Sequence, residues 1–284
     1  MNSKASVVIS CIDGSSVSEA VADYSGWIAS RLSLPVKLLH TIEHSHQPAL
    51  TDYTGAIGLG SKEELLKELT DVEQNRSRLL IQQGQKMLNG IKQHLMSHFD
   101  NDVETSQQHG ALAETLLAFE KQTDFIVMGV RGEEHDNTEA GVGRQLESVI
   151  RSIHKPICVV NTAFHPPSTI MLAIDGSDSC KKALNFLVQS ELFKGLKCHI
   201  VHVGENGENL LSSAAAVLSD AHYAVETAQL SGDIAEALTR YQLENGVDIT
   251  VMGAFSHGRL HDLLMGSFTV KMLSATKRPL ILLH

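Results

Sequence analysis

Short apolar runs recur along the chain, at 6–12, 35–41, 124–129 and 156–161, and again at 169–174, 197–203, 248–253 and 279–284. In the second set the first and last-but-one runs are almost continuously apolar and stop at turn residues, the mark of strands buried on both faces. Less apolar stretches at 102–107 and 223–229 complete five strands per set. Between strands lie segments of helical length, such as 178–193, where Ala183, Leu184, Leu187, Val188 and Leu192 share one stripe. Alternating strands and helices predict parallel sheets covered on both faces and joined by right-handed crossovers.

The two sets are copies. Ile12-Asp13-Gly14-Ser15 returns as Ile174-Asp175-Gly176-Ser177, and Leu38-Leu39-His40 as Ile200-Val201-His202, both 162 positions later. Asp124-Phe125-Ile126-Val127-Met128-Gly129 returns as Asp248-Ile249-Thr250-Val251-Met252-Gly253, 124 positions later. Lys155-Pro156-Ile157 returns as Arg278-Pro279-Leu280. Repeats that keep their order mean duplicated units. The expectation is two tandem doubly wound α/β domains, 1–163 and 168–284, each a five-stranded parallel sheet in the order 3-2-1-4-5. Pro166-Pro167 separates them, and no sheet is expected to run through that junction. The fifth strands would be edges, which invite pairing; the two domains are expected to pair with each other, or two chains as a homodimer.

The smaller second offset leaves about 40 extra residues in the first copy, an insertion at about 43–100. Residues 43–60 read as a loop rich in His, Gly, Thr and Pro. Ser61-Lys62-Glu63-Glu64 then reads as a capping box, and Leu65, Leu69, Val72, Leu80, Met87, Leu88, Ile91 and Leu95 follow at helical spacing. An unbroken helix over 62–98 would span about 55 Å. It must break, with Gly84 and Gly90 as the weak points, or project past its own domain.

Composition narrows the class. At 43% hydrophobic the chain can pack real cores, and a formal charge of −10 opposes broad binding to nucleic acid or anionic membrane. No apolar run approaches the roughly 20 residues of a membrane span. Met1–Lys4 leads straight into Val7-Val8-Ile9 without a signal-peptide pattern. Cys11, Cys158, Cys180 and Cys198 form no CxxC pair and read as buried, reduced thiols. A cytosolic protein is expected, with no partner among nucleic acids or membranes.

Ligands of doubly wound sheets bind beyond the carboxyl ends of the strands, where the winding direction reverses. In each copy that point gathers the Asp after strand one, Asp13 or Asp175, and the glycine-rich stretch after strand four. In the second copy this is Gly253 to Thr269, with Gly266-Ser267 opening the last helix, 266–275, where free N–H groups could meet an anion. In the first copy it is Gly129-Val130-Arg131-Gly132 followed by Gly141-Val142-Gly143-Arg144. Alternatively, Asp-Gly-Ser only caps the helix after it. No Walker loop or G-x-G-x-x-G is present. His40 and His202 read as structural. The pairs His44/His46 and His257/His261 have metal-compatible spacing, which fifteen histidines produce readily by accident. Nothing assembles a nucleophile, a base and an orienting acid.

The strand-one Asp, the Gly-x-x-Gly after strand four, nine residues and then Gly-Ser together resemble the ATP-binding pattern of universal stress proteins. The resemblance spans nearly the whole chain. The second copy keeps the spacing, with Ser256 in place of a glycine; the first has ten intervening residues and Arg144 in place of the small hydroxyl residue. The resemblance implies a site at Asp175, Val203, Gly253, Ser256, Gly266, Ser267 and Thr269. In the first copy it implies Asp13, Thr41, Gly129, Gly132 and Gly143; where that copy departs from the pattern, Arg131 or Arg144 could instead supply a compensating charge. It further implies a non-enzymatic stress-response protein binding ATP, with or without Mg²⁺, or a related adenine nucleotide, chiefly in the second domain. Two alternatives stay open, an interaction module that has lost its ligand and a slow ATPase.

Overall fold

The computed structural model describes residues 6–43, 59–132, 142–253 and 267–283. The first half runs β1 (Val7–Cys11), α1 (Ser18–Leu32), β2 (Val36–Ile42), α2 (Leu59–His98), β3 (Val103–His109), α3 (Leu112–Phe119), β4 (Thr123–Gly129), α4 (Arg144–Ser152) and β5 (Ile157–Val160). The second half repeats it as β6 (Thr169–Ala173), α5 (Asp178–Gln189), β7 (Lys197–Val203), α6 (Glu208–Asp220), β8 (Ala224–Leu230), α7 (Ile234–Glu244), β9 (Ile249–Gly253), α8 (Ser267–Ala275) and β10 (Leu280–Leu283). Each half has the expected 3-2-1-4-5 order, and all pairings within a half are parallel.

The sheet does not stop between the halves. It is a single ten-stranded sheet ordered β3-β2-β1-β4-β5-β10-β9-β6-β7-β8. The joint is antiparallel, with Leu280 opposite Val159, Ile281 opposite Cys158 and Leu282 opposite Ile157. The Pro166-Pro167 linker takes no part in it, because β9 and β10 stand between β5 and β6 in the sheet. The fifth strands are therefore interior, and all eight of their residues are buried. The free edges are β3 and β8, which carry only partly buried and exposed positions. Both apolar layers run across the joint: helices α1, α2, α5 and α6 cover one face, and α3, α4, α7 and α8 the other. Arg31 on α1 reinforces the seam by donating to the carbonyls of Leu192 and Lys194 in the second half. Asn161 Nδ2 likewise donates to the Thr276 carbonyl at 2.7 Å.

The insertion forms an unbroken 40-residue helix, about 60 Å long at ~1.5 Å per residue. Neither Gly84 nor Gly90 breaks it. Gly84 instead lets the helix press on the sheet, since a Cβ there would lie 2.8 Å from His40 Cδ2. The helix begins at Leu59, so Ser61 sits inside the first turn and is not its cap. Leu88, Ile91 and Leu95 are buried, whereas Val72 and Leu79 are 61% and 58% exposed. The amino-terminal part thus projects past the sheet, and the carboxyl-terminal part packs conventionally. No helix among the described residues is long and apolar enough to cross a membrane.

Candidate functional site

In the second half β6 ends at a turn that only a left-handed residue can make, and Gly176 supplies it at φ 79°. The Asp175 carboxylate accepts the Ser177 amide at 2.9 Å, and Ser177 Oγ accepts the Cys180 amide at 3.1 Å as the cap of α5. Capping therefore falls to Ser177, and Asp175 shapes the turn at the mouth of the sheet. Beside it lies a cavity of about 190 Å³ lined by Asp175, His202, Val203, Gly253, Leu238 and Phe268, among others. Strands β6, β7 and β9 contribute their carboxyl ends, so the cavity sits where the winding direction reverses.

Three residues picked from sequence, Asp175, Val203 and Gly253, meet in this cavity. Thr269 is buried in the first turns of α8, directly after the cavity-lining Phe268. Ser267 is the first residue of α8. Ser256 and Gly266 lie outside the described residues, as do His44, His46, His257 and His261.

Sequence reasoning missed the apolar wall of Ile234, Leu238 and Phe268. Ile234 and Leu238 stand one turn apart on α7, a signal that was legible, but nothing in the sequence aims that helix at the crevice. His202 also lines the cavity, yet its Nδ1 is engaged with the Ile174 carbonyl at 2.9 Å. His40 meets the Ile12 carbonyl in the same way at 2.8 Å. The matched histidines are structural ties between neighbouring strand ends. Cys180 also lines the cavity, and burial, more than any other influence, raises the pKa of its thiol.

The first half assembles the same elements differently. Asp13 Oδ1 accepts from Ser15 N at 3.0 Å, Ser15 Oγ at 2.7 Å and Ser18 Oγ at 3.1 Å. Ser15 spends its hydroxyl on that carboxylate, and α1 has no side-chain cap. The Gly143 amide donates to the Val130 carbonyl at 3.1 Å, so the start of α4 closes onto the strand-four loop. A Cβ at Gly143 would lie 3.4 Å from Arg131 Cα, and one at Gly132 would lie 3.6 Å from Asp13 Oδ2. Asp13, Gly129, Arg131, Gly132 and Gly143 are therefore neighbours. Thr41 lies near the end of β2, at the position that matches Val203, opposite Gln108 of β3.

Comparison with known proteins agrees with this architecture. Residues 6–161 and 205–284 match the sequence profile described as the Universal stress protein family. The matched segments leave out 162–204, where Asp175 lies. A universal stress protein of Synechocystis sp. is 34% identical over 281 residues, covering 96% of this chain and 98% of that protein. Among solved structures, a universal stress protein from Archaeoglobus fulgidus superposes with a TM-score of 0.68 at 17% identity, covering 98% of this chain and 95% of its own. A protein of unknown function from Pseudomonas aeruginosa superposes at 0.61 and 12% identity, covering 98% and 92%. At those identities the structural likeness concerns the fold.

Proposed function

The chain belongs to the universal stress protein family, and on that premise we propose that its second half binds an adenine nucleotide, ATP or a close relative, as a stress-response binding module. The observation that carries this reading is the cavity in which Asp175, Val203 and Gly253 converge at the winding reversal. Its volume of about 190 Å³ accepts a flat ring system. Clefts that enclose a whole drug-sized ligand run to about 300–1,000 Å³. One end of the ligand would therefore be enclosed and the other would extend outward. Ile234, Leu238 and Phe268 supply apolar surface for a base, and the Asp175 carboxylate is an acceptor for ribose hydroxyls or an amino group. The start of α8 at Ser267 offers backbone amides and a favourable helix dipole to phosphate. With Mg²⁺ bound to its phosphates, the ligand would bring a metal that the protein need not hold itself.

For the first half a specific observation favours a different role. Asp13 Oδ1 already accepts three hydrogen bonds from its own turn, and α4 closes on the loop that would receive a ligand. We read this half as an interaction module that keeps the fold and supports the seam.

Isothermal titration of the full chain with ATP, with and without Mg²⁺, tests both assignments. One site is expected, weakened at least tenfold by Asp175→Ala and abolished by the further change Gly266→Val, with Asp13→Ala retaining it. No heat from the wild type under either condition would overturn nucleotide binding. Loss in Asp13→Ala with retention in Asp175→Ala would move the site to the other half.

A further inference from the structure

A second cluster of chemically capable side chains lies where the long helix α2 crosses α1. Gly26 on α1 has no side chain, and a Cβ there would lie 2.6 Å from Phe99 Cδ2 and 2.7 Å from Leu95 Cδ1. The two backbones therefore approach closely at this crossing. Asp23 stands one turn before Gly26 on α1. His94 and His98 stand one turn apart on α2, a spacing that sets both rings on one helix face. One ring nitrogen from each histidine and a carboxylate oxygen of Asp23 lie within 4.8 Å of one another.

We propose that Asp23, His94 and His98 form a binding site for a divalent transition metal of the zinc class, with water in the remaining position. Two imidazoles and one carboxylate are the donors that such ions prefer, whereas Mg²⁺ and Ca²⁺ take all-oxygen sets. The His94 Nε2 to Asp23 Oδ1 distance is 2.8 Å. Two ligands about 2.0–2.1 Å from a tetrahedral zinc stand roughly 3.3 Å apart, so this pair need open only slightly. The imidazole of His94 then carries its proton on Nδ1, and the metal takes the place of the proton shared with Asp23.

His98 is oriented from behind. Its Nδ1 lies 2.9 Å from the His94 carbonyl and 3.0 Å from Ser97 Oγ, and as the donor to the carbonyl it leaves the Nε2 lone pair for a metal. A ring N–H held by a backbone carbonyl is the usual support of a metal-bound histidine. Closing the set requires only a small turn of the exposed His98 ring, since the three ligand atoms already lie within 4.8 Å of one another. Bound metal would pin α2 to α1 at the root of the helix whose far end carries exposed Val72 and Leu79.

Co²⁺, whose visible spectrum reports coordination, is the direct probe. The full-length metal-free protein is titrated with Co²⁺, then challenged with Zn²⁺, Mg²⁺ and Ca²⁺. One equivalent with tetrahedral absorption bands is expected, displaced by Zn²⁺ but not by the other two. His98→Ala, at an exposed position, should weaken binding at least tenfold and remove the bands, as should Asp23→Asn. Thermal unfolding should shift upward with Zn²⁺ in the wild type and stay unchanged in His98→Ala. A combined His44→Ala, His46→Ala, His257→Ala, His261→Ala variant should bind like the wild type. Wild-type spectrum and affinity in His98→Ala, absence of saturable binding, or loss of the site in the fourfold variant would each overturn the proposal.

Discussion

Replacing Gly253 by alanine separates two reasons for a glycine at the end of β9, room for a ligand and room for the protein itself. A Cβ at 253 would lie 2.5 Å from Ser179 Cβ, 3.0 Å from the Ser179 carbonyl carbon and 3.2 Å from its oxygen. Ordinary contact is 3.4–4 Å, so the first turn of α5 must move by about 1 Å. The obstacles are a Cβ and backbone atoms, with no flexible tip to swing aside. Ala183 and Leu187 farther along α5 are fully buried and resist a rigid shift. Overpacking of this kind costs about 1–3 kcal/mol, and the upper half of that range applies here. At the matching position, a Cβ on Gly129 would meet Val17 Cγ2 at 3.0 Å and the Arg131 carbonyl oxygen at 3.2 Å, looser contacts than the 2.5 Å approach at 253, and Gly129→Ala should cost about 1 kcal/mol. Urea unfolding followed by circular dichroism measures both, and for Gly253→Ala a fall in Tm of roughly 4–12 °C should accompany the loss. Ser179→Gly in the Gly253→Ala background should recover part of the stability, a coupling expected of residues in direct contact. Equal stability of the two alanine variants, or additivity with Ser179→Gly, would refute the steric argument. The glycine would then be explained by the proposed ligand alone.

Two further outcomes follow from the second half. Ser177→Ala should cost about 1 kcal/mol, because Ser177 Oγ caps α5, and urea unfolding reads it directly. The second concerns His199 on β7, which is 2% exposed, bonded through Nδ1 to Tyr241 Oη at 2.9 Å, and has its pKa lowered by burial. Glu226 opposes that shift and Lys197 adds to it. The folded state therefore takes up its proton at lower pH than the unfolded chain does, so stability must fall as pH drops through the usual histidine value near 6.5. Unfolding midpoints measured between pH 7.5 and 5.5 should decline less steeply in His199→Gln than in the wild type. Parallel declines would exclude His199 as the source.

The sequence disclosed what depends on local pattern. Ten strands, their order within each half and the Asp-Gly-Ser turns follow from apolar periodicity and duplication, and the structure places most strand ends within a residue of those positions. What it concealed depends on partners far apart in the chain. Ser61 looked like a cap because its side chain and Glu64 fit a local rule, yet helix formation continues back to Leu59. Gly84 looked like a weak point because glycine lowers helix propensity, but contact with His40 and Gln107 on the sheet gives it a packing role. Asp23 and His94 are 71 positions apart, and only the α1–α2 crossing brings them into contact. Gly253 was recognisable because it ends a repeated strand, Asp175 because it sits in a repeated turn after one, and Val203 only through the family resemblance, whereas the facing of α7 toward them is a tertiary fact.

The fifth strands carried a clue in their composition. A genuine edge must keep water on its free side and avoid recruiting other chains, and β3 and β8 do so with Glu104 and Gln108, and with Glu226 and Gln229. Ile157-Cys158-Val159-Val160 and Leu280-Ile281-Leu282-Leu283 have no such protection and read as strands buried on every side. Their antiparallel union also fixes the geometry of the two crevices. Strands β1–β5 run parallel, as do β6–β10, and the two sets are opposed at the joint. The carboxyl ends that carry Asp13 and Asp175 therefore open at opposite ends of the shared sheet. A single nucleotide cannot bridge them. Any influence of one crevice on the other must travel through the β5–β10 joint and the packed contacts beside it, where Arg31 of α1 holds the carbonyls of Leu192 and Lys194.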